Sequence, residues 1–157
     1  MQSFAGDPIA SPEGWVKNNE TSGNNTVVGQ NLLGVIPFPG IEPTRTPDGD
    51  FSFPLQLGAG APTTLRFADA VTTNFFYWVN RAHDLFYHAG FTEAAGNFQN
   101  QNFGRGGVSG DPVYAFTHYG AQAGSTARRM NAFFTASDTE IVSFLGHNHD
   151  RLGSHGS

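Results

Sequence analysis

The residues of this chain that could bind a metal or move a proton lie in two clusters. One comes late in the printed sequence, where the pattern H-N-H-D-x-x-x-x-H occurs. Its members are His147, His149, Asp150 and His155. Imidazole is a common ligand of Zn, Cu and Ni, so we predict that this cluster holds one divalent ion. The alternative is a polar tail, since His147 and His149 would need a further ligand from elsewhere in the chain.

The second cluster is the pair His83 and Asp84, followed by His88. A histidine beside a carboxylate can act as a general acid or base. His88 comes five residues after His83, which is roughly 140° around a helix, so the two rings cannot share a metal ion. Glu93 and Asp111 bracket a glycine-rich stretch and are alternative ligands for Ca²⁺.

An amphipathic helix must position the second cluster. Residues 69–89 contain neither Pro nor Gly, and their apolar residues follow the i, i+3, i+4 spacing of a helix. Gly90 supplies the stop. Bulky side chains cover most of the circumference and leave a polar stripe through Asn80, Asp84 and Tyr87, which could extend to His88. The pattern predicts a central, largely buried helix.

The chain before this helix is irregular. Residues 1–66 carry all the prolines except Pro112, and this density of Pro confines strands to short or edge pieces. We predict extended chain with a few short strands, among them a half-buried strand at 50–55, and turns at 37–40 and 47–50.

The chain after the helix alternates between loop and strand patterns. The glycine-rich stretch 92–111 predicts a loop, and the aromatic, alternating stretches 112–119 and 127–134 predict a β-hairpin or two neighbouring strands. Residues 137–140 read S-D-T-E, a capping box that predicts a short helix ending near Gly146.

These elements predict an α+β fold in a single domain over residues 1–157. A long central helix would pack on a small twisted, mainly antiparallel sheet. Residues 1–66 would form the irregular half, and residues 67–157 the helix, the glycine loop, the strands and the terminal helix.

Composition excludes several classes of partner. The net charge is −5 with scattered Lys and Arg, so there is no basic stripe for nucleic acid. No apolar run approaches the roughly 20 residues of a membrane span. The absence of Cys excludes disulfides and thiolate metal sites. Fifteen Phe predict an aromatic interior, and the N-x-T sequons at Asn19 and Asn24 are typical of a secreted glycoprotein.

A longer motif runs from residue 77 to residue 111, as Y-W-V-N-R-A-H-D-L-F-Y-H-A-G-F-T-E-A-A-G-N-F-Q-N-Q-N-F-G-R-G-G-V-S-G-D. It resembles the signature stretch of the fungalysin family of secreted zinc metallopeptidases. The matching positions are Tyr77, Asn80, His83, Asp84, Tyr87, Gly90, Phe91, Glu93 to Gln99, Asn102, Gly104, Gly106, Gly107, Gly110 and Asp111. The resemblance implies the N-terminal subdomain of a secreted catalytic region.

The resemblance also assigns roles to residues. It implies that His83 and Asp84 are structural and fix the helix to the glycine loop. Four further side chains are expected to tie that loop down by hydrogen bonds: Glu93, Asn97, Gln99 and Asn102.

The catalytic motif of the family is missing from these residues. Fungalysins bind zinc with an H-E-x-x-H helix, and no such run occurs in the 157 residues. Residues 141–147 read I-V-S-F-L-G-H, which is similar to the family's I-I-V-H-E-Y-G-H. In that comparison Ser143 replaces the first zinc ligand, Phe144 replaces the catalytic glutamate and His147 is kept. Serine is a poor zinc ligand and phenylalanine cannot take a proton, so we expect no ordinary fungalysin activity from this chain alone.

We therefore predict a non-proteolytic, secreted binding protein. It would hold a small apolar or conjugated ligand, a metal ion or both in the remnant of the substrate cleft, and could be coloured. The predicted ligand contacts are Asn131, Phe133, Phe134, Ser143, Phe144 and Tyr87. The strand 129–134 resembles the cleft edge strand of the superfamily and could dock an extended peptide, although its alternation is equally that of a core strand.

Two other classes of function stay open. The chain could be part of a metal-dependent peptidase or hydrolase completed by a partner chain, which chelator-sensitive casein hydrolysis would reveal. It could also be an inhibitor-like module that docks on a protease. Without the second lobe of the family's catalytic region, formerly buried apolar surface would be exposed, which would favour a homodimer.

Overall fold

The computed structural model describes residues 4–33, 41–53, 67–120, 134–137 and 140–145. In these ranges one α-helix packs on one five-stranded sheet, so the predicted α+β class is confirmed. The strands are β1 (Thr26–Gln30), β2 (Glu42–Pro43), β3 (Val113–Thr117), β4 (Phe134–Ser137) and β5 (Glu140–Leu145), and the helix is α1 (Ala68–His88). A short 3-10 turn, Glu93–Ala95, follows the helix.

The sheet is mixed. Its strand order is β2-β1-β3-β5-β4; β1, β3 and β5 run parallel, and the two outer strands are antiparallel to their neighbours. The prediction of a mainly antiparallel sheet is therefore wrong. Parallel neighbours require a long crossover, and α1 with the glycine loop supplies it between β1 and β3.

The strand predicted within 112–119 is confirmed as β3, but its neighbours differ from those expected. β3 lies between β1 and β5, and the hairpin is formed by β4 and β5. Phe134 in β4 lies opposite Ser143 in β5. Residues 127–133 lie outside the described residues.

The prediction of a short helix after the capping box is wrong. Residues Glu140–Leu145 form β5, which pairs with strands on both sides. The β-branched residues Ile141 and Val142 favour an extended chain. Hydrogen bonds to a strand on each side outweigh the capping box, whose residue types also occur in turns. Since Ser143 stands in a strand, the comparison of this segment with a zinc-binding helix has no support from the fold.

The helix α1 has the predicted extent but the opposite orientation. Its polar stripe faces inward: Asn80 is fully buried and Asp84 is 3% exposed. Trp78 and Leu85, which the pattern placed inside, are 59% and 66% exposed. The inversion follows from hydrogen bonds that the polar residues make inside the fold. No helix within the described ranges is long and apolar enough to cross a membrane.

The half-buried strand predicted at 50–55 is not formed over its described part. Phe51 is buried and Ser52 exposed, as the alternation predicted, but residues 50–53 pair with none of the described strands. The amides of Asp50 and Ser52 bond to aspartate side chains two residues earlier instead. The turn at 47–50 is confirmed by bends at 47–49 and by Gly49 at φ +78°. The turn predicted at 37–40 lies outside the described residues.

The interior between α1 and the sheet is aromatic, as predicted. Its buried members are Trp15, Val28, Phe76 and Ala115. Phe4 closes the cluster from the N-terminal side, with its ring centroid 5.3 Å from that of Phe51 and 6.0 Å from that of Phe76. The residues before β1 therefore belong to the core.

Candidate functional site

A buried polar network surrounds Asp84 on the inner side of α1. Its Oδ2 accepts hydrogen bonds from the amide of Asp7 and from Nε1 of Trp15, each at 2.9 Å. Its Oδ1 accepts one from Oγ of Ser11 at 2.6 Å and lies 3.1 Å from Nδ1 of His83. One carboxylate therefore fixes the N-terminal segment to the helix.

The network continues to the start of β1 through two buried asparagines. Nδ2 of Asn25 donates to Oγ of Ser11 at 2.9 Å and to Oδ1 of Asn80 at 3.0 Å. Asn80 in turn donates to the carbonyl of Phe76, one helical turn back, at 2.9 Å. The helix, the first strand and the N-terminal segment are thus joined through side chains.

His83 connects the helix to the glycine loop. While Nδ1 faces Asp84, Nε2 lies 3.2 Å from Oε1 of Gln99. Gln99 is fully buried, and its Oε1 accepts a hydrogen bond from Nδ2 of Asn97 at 3.0 Å. The hydrogen bonds expected between the pair His83 and Asp84 and the glycine loop are therefore formed.

Glu93 is the second buried carboxylate, with 1% exposure. It accepts hydrogen bonds from the hydroxyl of Tyr87 at 2.9 Å, from Nε2 of Gln99 at 3.2 Å and from Nη1 of Arg105 at 3.2 Å. Arg105 also donates to the carbonyl of Ile9 at 2.7 Å. The arginine therefore joins the loop, the helix and the N-terminal segment at one point.

The glycine loop is held by side-chain hydrogen bonds to its own backbone. Nδ2 of Asn102 donates to the carbonyls of Gly106 and Val108 at 2.8 and 3.0 Å. Gln99 donates to the carbonyl of Gln101 at 2.9 Å. These contacts confirm the expectation that polar residues of the motif tie the loop down.

Hydrogen bonds lower the pKa of both buried carboxylates. Burial acts to raise the pKa of Asp84, but the hydrogen bonds from His83, Ser11, Asp7 and Trp15 outweigh it, and the pKa falls below 3.8. Burial likewise opposes the shift of Glu93, whose pKa is lowered from 4.5 by its own amide and by its side-chain donors.

Asp7 shows the same effect at the surface. The amide of Ala10, then His88, then the amide of Ile9 lower the pKa of Asp7 to about 2. Nε2 of His88 lies 3.0 Å from Oδ2 of Asp7. The last turn of α1 therefore holds the N-terminal segment through a second aspartate.

These shifts predict acid lability. The folded protein binds fewer protons than the unfolded chain, so the stabilisation is present above the unfolded values of 3.8 and 4.5 and is lost as the pH falls through the folded values. We expect the protein to unfold between pH 4.5 and pH 2, as measured by far-ultraviolet circular dichroism. Unchanged stability down to pH 2, or loss already above pH 5, would contradict this.

A separate feature is the outer edge of β4. Among the described strands β4 is last in the sheet order and pairs on one side alone. Its sequence, F-T-A-S, contains no Pro, Lys or other charged residue that commonly blocks an edge. The opposite edge, β2, is two residues long and includes Pro43.

The described residues include only part of the predicted ligand site. Phe134 lies in β4, and Ser143 and Phe144 lie in β5. Tyr87 is buried in the polar network. The remaining predicted residues lie outside the described ranges: Asn131, Phe133, His147, His149, Asp150 and His155. Contact of any of them with a ligand or metal stays a prediction.

Acidic and histidine side chains alone form no metal site among the described residues. These residues contain no group of three or more His, Asp or Glu side chains placed to hold one. Glu93, an alternative calcium ligand in the sequence, uses both oxygens on protein donors. A calcium site formed by Asp111 and backbone carbonyls stays a prediction.

Sequence alone missed the residues that complete the network. Ser11 and Trp15 bond to Asp84 from 73 and 69 residues away, and no local pattern marks such pairs. Arg105 could have been found from the sequence, because it is the one Lys or Arg in the glycine-rich stretch that contains Glu93.

Comparison with known proteins decides the family. The fungalysin metallopeptidase (M36) family model matches residues 2–141. This chain belongs to the fungalysin family. Its similarity to the extracellular metalloproteinase MEP of Pyricularia oryzae is 36% identity over 120 residues, which is 73% of this chain and 19% of that protein.

Two other fungal relatives give the same result. The extracellular metalloproteinase mep of Aspergillus flavus is 36% identical over 130 residues, covering 80% of this chain and 20% of the relative. Extracellular metalloproteinase 1 of Arthroderma gypseum is 37% identical over 127 residues, covering 78% and 19%. The chain spans about a fifth of the length of these fungalysin-family relatives.

Proposed function

We propose that this chain is a secreted, non-proteolytic binding lobe of the fungalysin type, which binds an extended peptide along the outer edge of β4. The observation that carries the proposal is that edge, which is unpaired among the described residues and has no blocking residue. Free amide and carbonyl groups on such a strand can add a peptide as a further strand.

The rest of the fold supports this edge rigidly. β4 pairs with β5, β5 with β3 and β3 with β1, so the edge rests on a continuous ladder. α1 packs on β1 and β3, and the network around Asp84 fixes the helix. A bound peptide would therefore meet an ordered edge, which reduces the entropic cost of binding.

We assign no hydrolysis to the chain itself. The H-E-x-x-H run is missing from its 157 residues, and the buried carboxylates Asp84 and Glu93 are engaged by protein donors. The predicted apolar pocket at Ser143 and Phe144 depended on a helix, and β5 occupies that segment. The proposed binding site is therefore the edge of β4 and not a pocket. The relatives are named extracellular metalloproteinases, which supports secretion of this chain.

The test is a binding scan with N-methylated peptides. The probe is a fluorescein-labelled hexapeptide of alternating threonine and valine, read by fluorescence anisotropy with the 157-residue chain. Each amide is methylated in turn. Every second N–H of an added strand points to its neighbour, so alternate positions should each weaken binding by roughly five- to tenfold.

The controls separate edge pairing from other modes. Methylation at the positions between these should change the dissociation constant by less than about twofold relative to the unmethylated peptide, because their amides face away from the sheet. A peptide of D-residues serves as the stereochemical control and should not bind. Equal loss at all positions, or binding of the D-peptide, would contradict strand addition.

A further inference from the structure

The outer face of α1, opposite its buried polar residues, carries a continuous apolar seam. Apolar residues occupy every position of a spacing that alternates between three and four, which is the a and d pattern of a coiled coil. These six residues form the outer seam: Val71, Phe75, Trp78, Ala82, Leu85 and Ala89. None of the six is fully buried in the fold, and Trp78, Leu85 and Ala89 are exposed.

The seam leaves large apolar side chains in contact with solvent. Trp78, Leu85 and the neighbouring Phe86 each expose more than half of their surface. They are three of the seven large apolar side chains that are exposed among the described residues. Contiguous apolar surface of this kind on a protein marks a contact with another molecule.

The spacing of the seam indicates what kind of partner it fits. An apolar stripe limited to a and d positions is narrower than the face by which a helix packs on a globular core, and it matches the knobs-into-holes contact of a second helix. Residues 71–89 span about 27 Å of helix, which is long enough for several layers of side chains. The seam therefore fits another helix with the same repeat.

A second copy of α1 supplies a matching seam when the two helices run antiparallel. With residue 80 of both copies at the two-fold axis, Trp78 faces Ala82 of the other copy, Phe75 faces Leu85, and Val71 faces Ala89. Large and small residues then interdigitate, as close packing requires. A parallel pair would place Trp78 against Trp78 and Ala82 against Ala82, so that overfilled layers alternate with empty ones.

We propose that the chain forms an antiparallel homodimer through the outer seam of α1. The contact is isologous, because the same surface of both copies meets across the two-fold axis. It is also small, on the order of 1,000 Å² in total, so we expect a weak dimer with a Kd of roughly 10–100 μM. This surface is separate from the edge of β4, which lies on the sheet.

Sedimentation equilibrium of the 157-residue protein from about 5 to about 500 μM measures the association. We expect the mass to rise from the 16.8 kDa of one chain towards twice that value. A mass of 16.8 kDa at every concentration would overturn the proposal and leave the seam to a helix of another protein.

A matched pair of substitutions assigns the contact to the seam. Leu85→Glu places a charge in the seam at a position that is 66% exposed, so it should weaken dimerisation at least tenfold without unfolding the chain. Leu33→Glu is the control, because Leu33 is 64% exposed but lies outside α1, and it should leave the Kd within about twofold. Circular dichroism verifies that both variants fold. Equal effects of the two substitutions would contradict the assignment.

Cysteine cross-linking tests the antiparallel direction, and the chain has no Cys of its own to interfere. Arg81 and Asn74 are both exposed on α1. Arg81→Cys lies beside the two-fold axis and should be joined to its copy by a short bismaleimide. Asn74→Cys should not be joined, because the two positions lie about 20 Å apart along an antiparallel pair. Cross-linking of both variants, or of neither, would refute this direction.

The charge of Arg81 provides an independent test of the partner. Two copies bring like charges together near the axis, where they repel and salt screens them. Raising NaCl from about 0.05 M to about 0.5 M should therefore tighten the dimer roughly two- to threefold, and Arg81→Gln should produce the same gain at low salt. Weaker association in Arg81→Gln would mean that Arg81 faces an acidic group, which a second copy in this register does not offer.

Discussion

Replacing Asp84 with alanine is expected to lower the free energy of unfolding by roughly 3 to 5 kcal/mol. The carboxylate accepts from the amide of Asp7, from Ser11 and from Trp15, and it faces His83. Its removal leaves buried donors without an acceptor. Urea unfolding followed by circular dichroism measures the loss.

The N-terminal segment should loosen in the same variant, because its contacts to α1 converge on Asp84. Hydrogen exchange of the Asp7 amide, which donates to the lost carboxylate, should accelerate relative to amides of β1. Glu13→Ala is the matched control: Glu13 is an exposed acid of the same segment, and its loss should change stability by less than about 0.5 kcal/mol. Equal effects of the two substitutions would show that the network is not what holds the segment.

Replacing Gly107 with alanine is the second large effect that we expect. Gly107 has φ +69°, and an added Cβ would stand 1.9 Å from the carbonyl oxygen of Glu93. Backbone cannot yield as a flexible side chain does, so the loop must move away from the turn that carries Glu93. The clash together with the left-handed conformation should cost about 3 kcal/mol or more.

Gly104→Ala provides the control in the same loop. Gly104 has φ +73°, but an added Cβ meets no atom within 4 Å. It should therefore show the conformational cost alone, roughly 1–2 kcal/mol. Thermal unfolding of both variants gives the difference. Similar losses for the two would mean that the close approach to Glu93 has no energetic consequence.

The extent of α1 could be predicted from sequence, but its orientation could not. A stretch without Pro or Gly and with helical spacing marks a helix wherever it packs. The same spacing predicts an apolar and a polar face, but it does not determine which of the two faces the interior. That choice depends on distant partners: Asp84 bonds to the amide of Asp7, 77 residues away, and Asn80 to Asn25, 55 residues away. Such partners cannot be read from one segment.

The error at the capping box has a different cause. Ser, Asp, Thr and Glu in sequence suit the start of a helix and also a turn between strands. The following residues Ile141 and Val142 favour a strand, but only pairing with β3 and β4 decides between the two. The family, in contrast, could be predicted from the motif at residues 77–111 alone. The residues of this motif bond to one another, such as His83 with Gln99 and Tyr87 with Glu93, so no distant segment is needed to recognise it.

The central claim is that this chain binds an extended peptide without cutting it. The most direct measurement is incubation of the 157-residue protein with the fluorescein-labelled hexapeptide and with casein, in the presence of Zn²⁺ and, separately, of a chelator. We expect the hexapeptide to be bound and recovered intact, and casein to remain uncleaved under both conditions. Cleavage that the chelator abolishes and added Zn²⁺ restores would contradict the account.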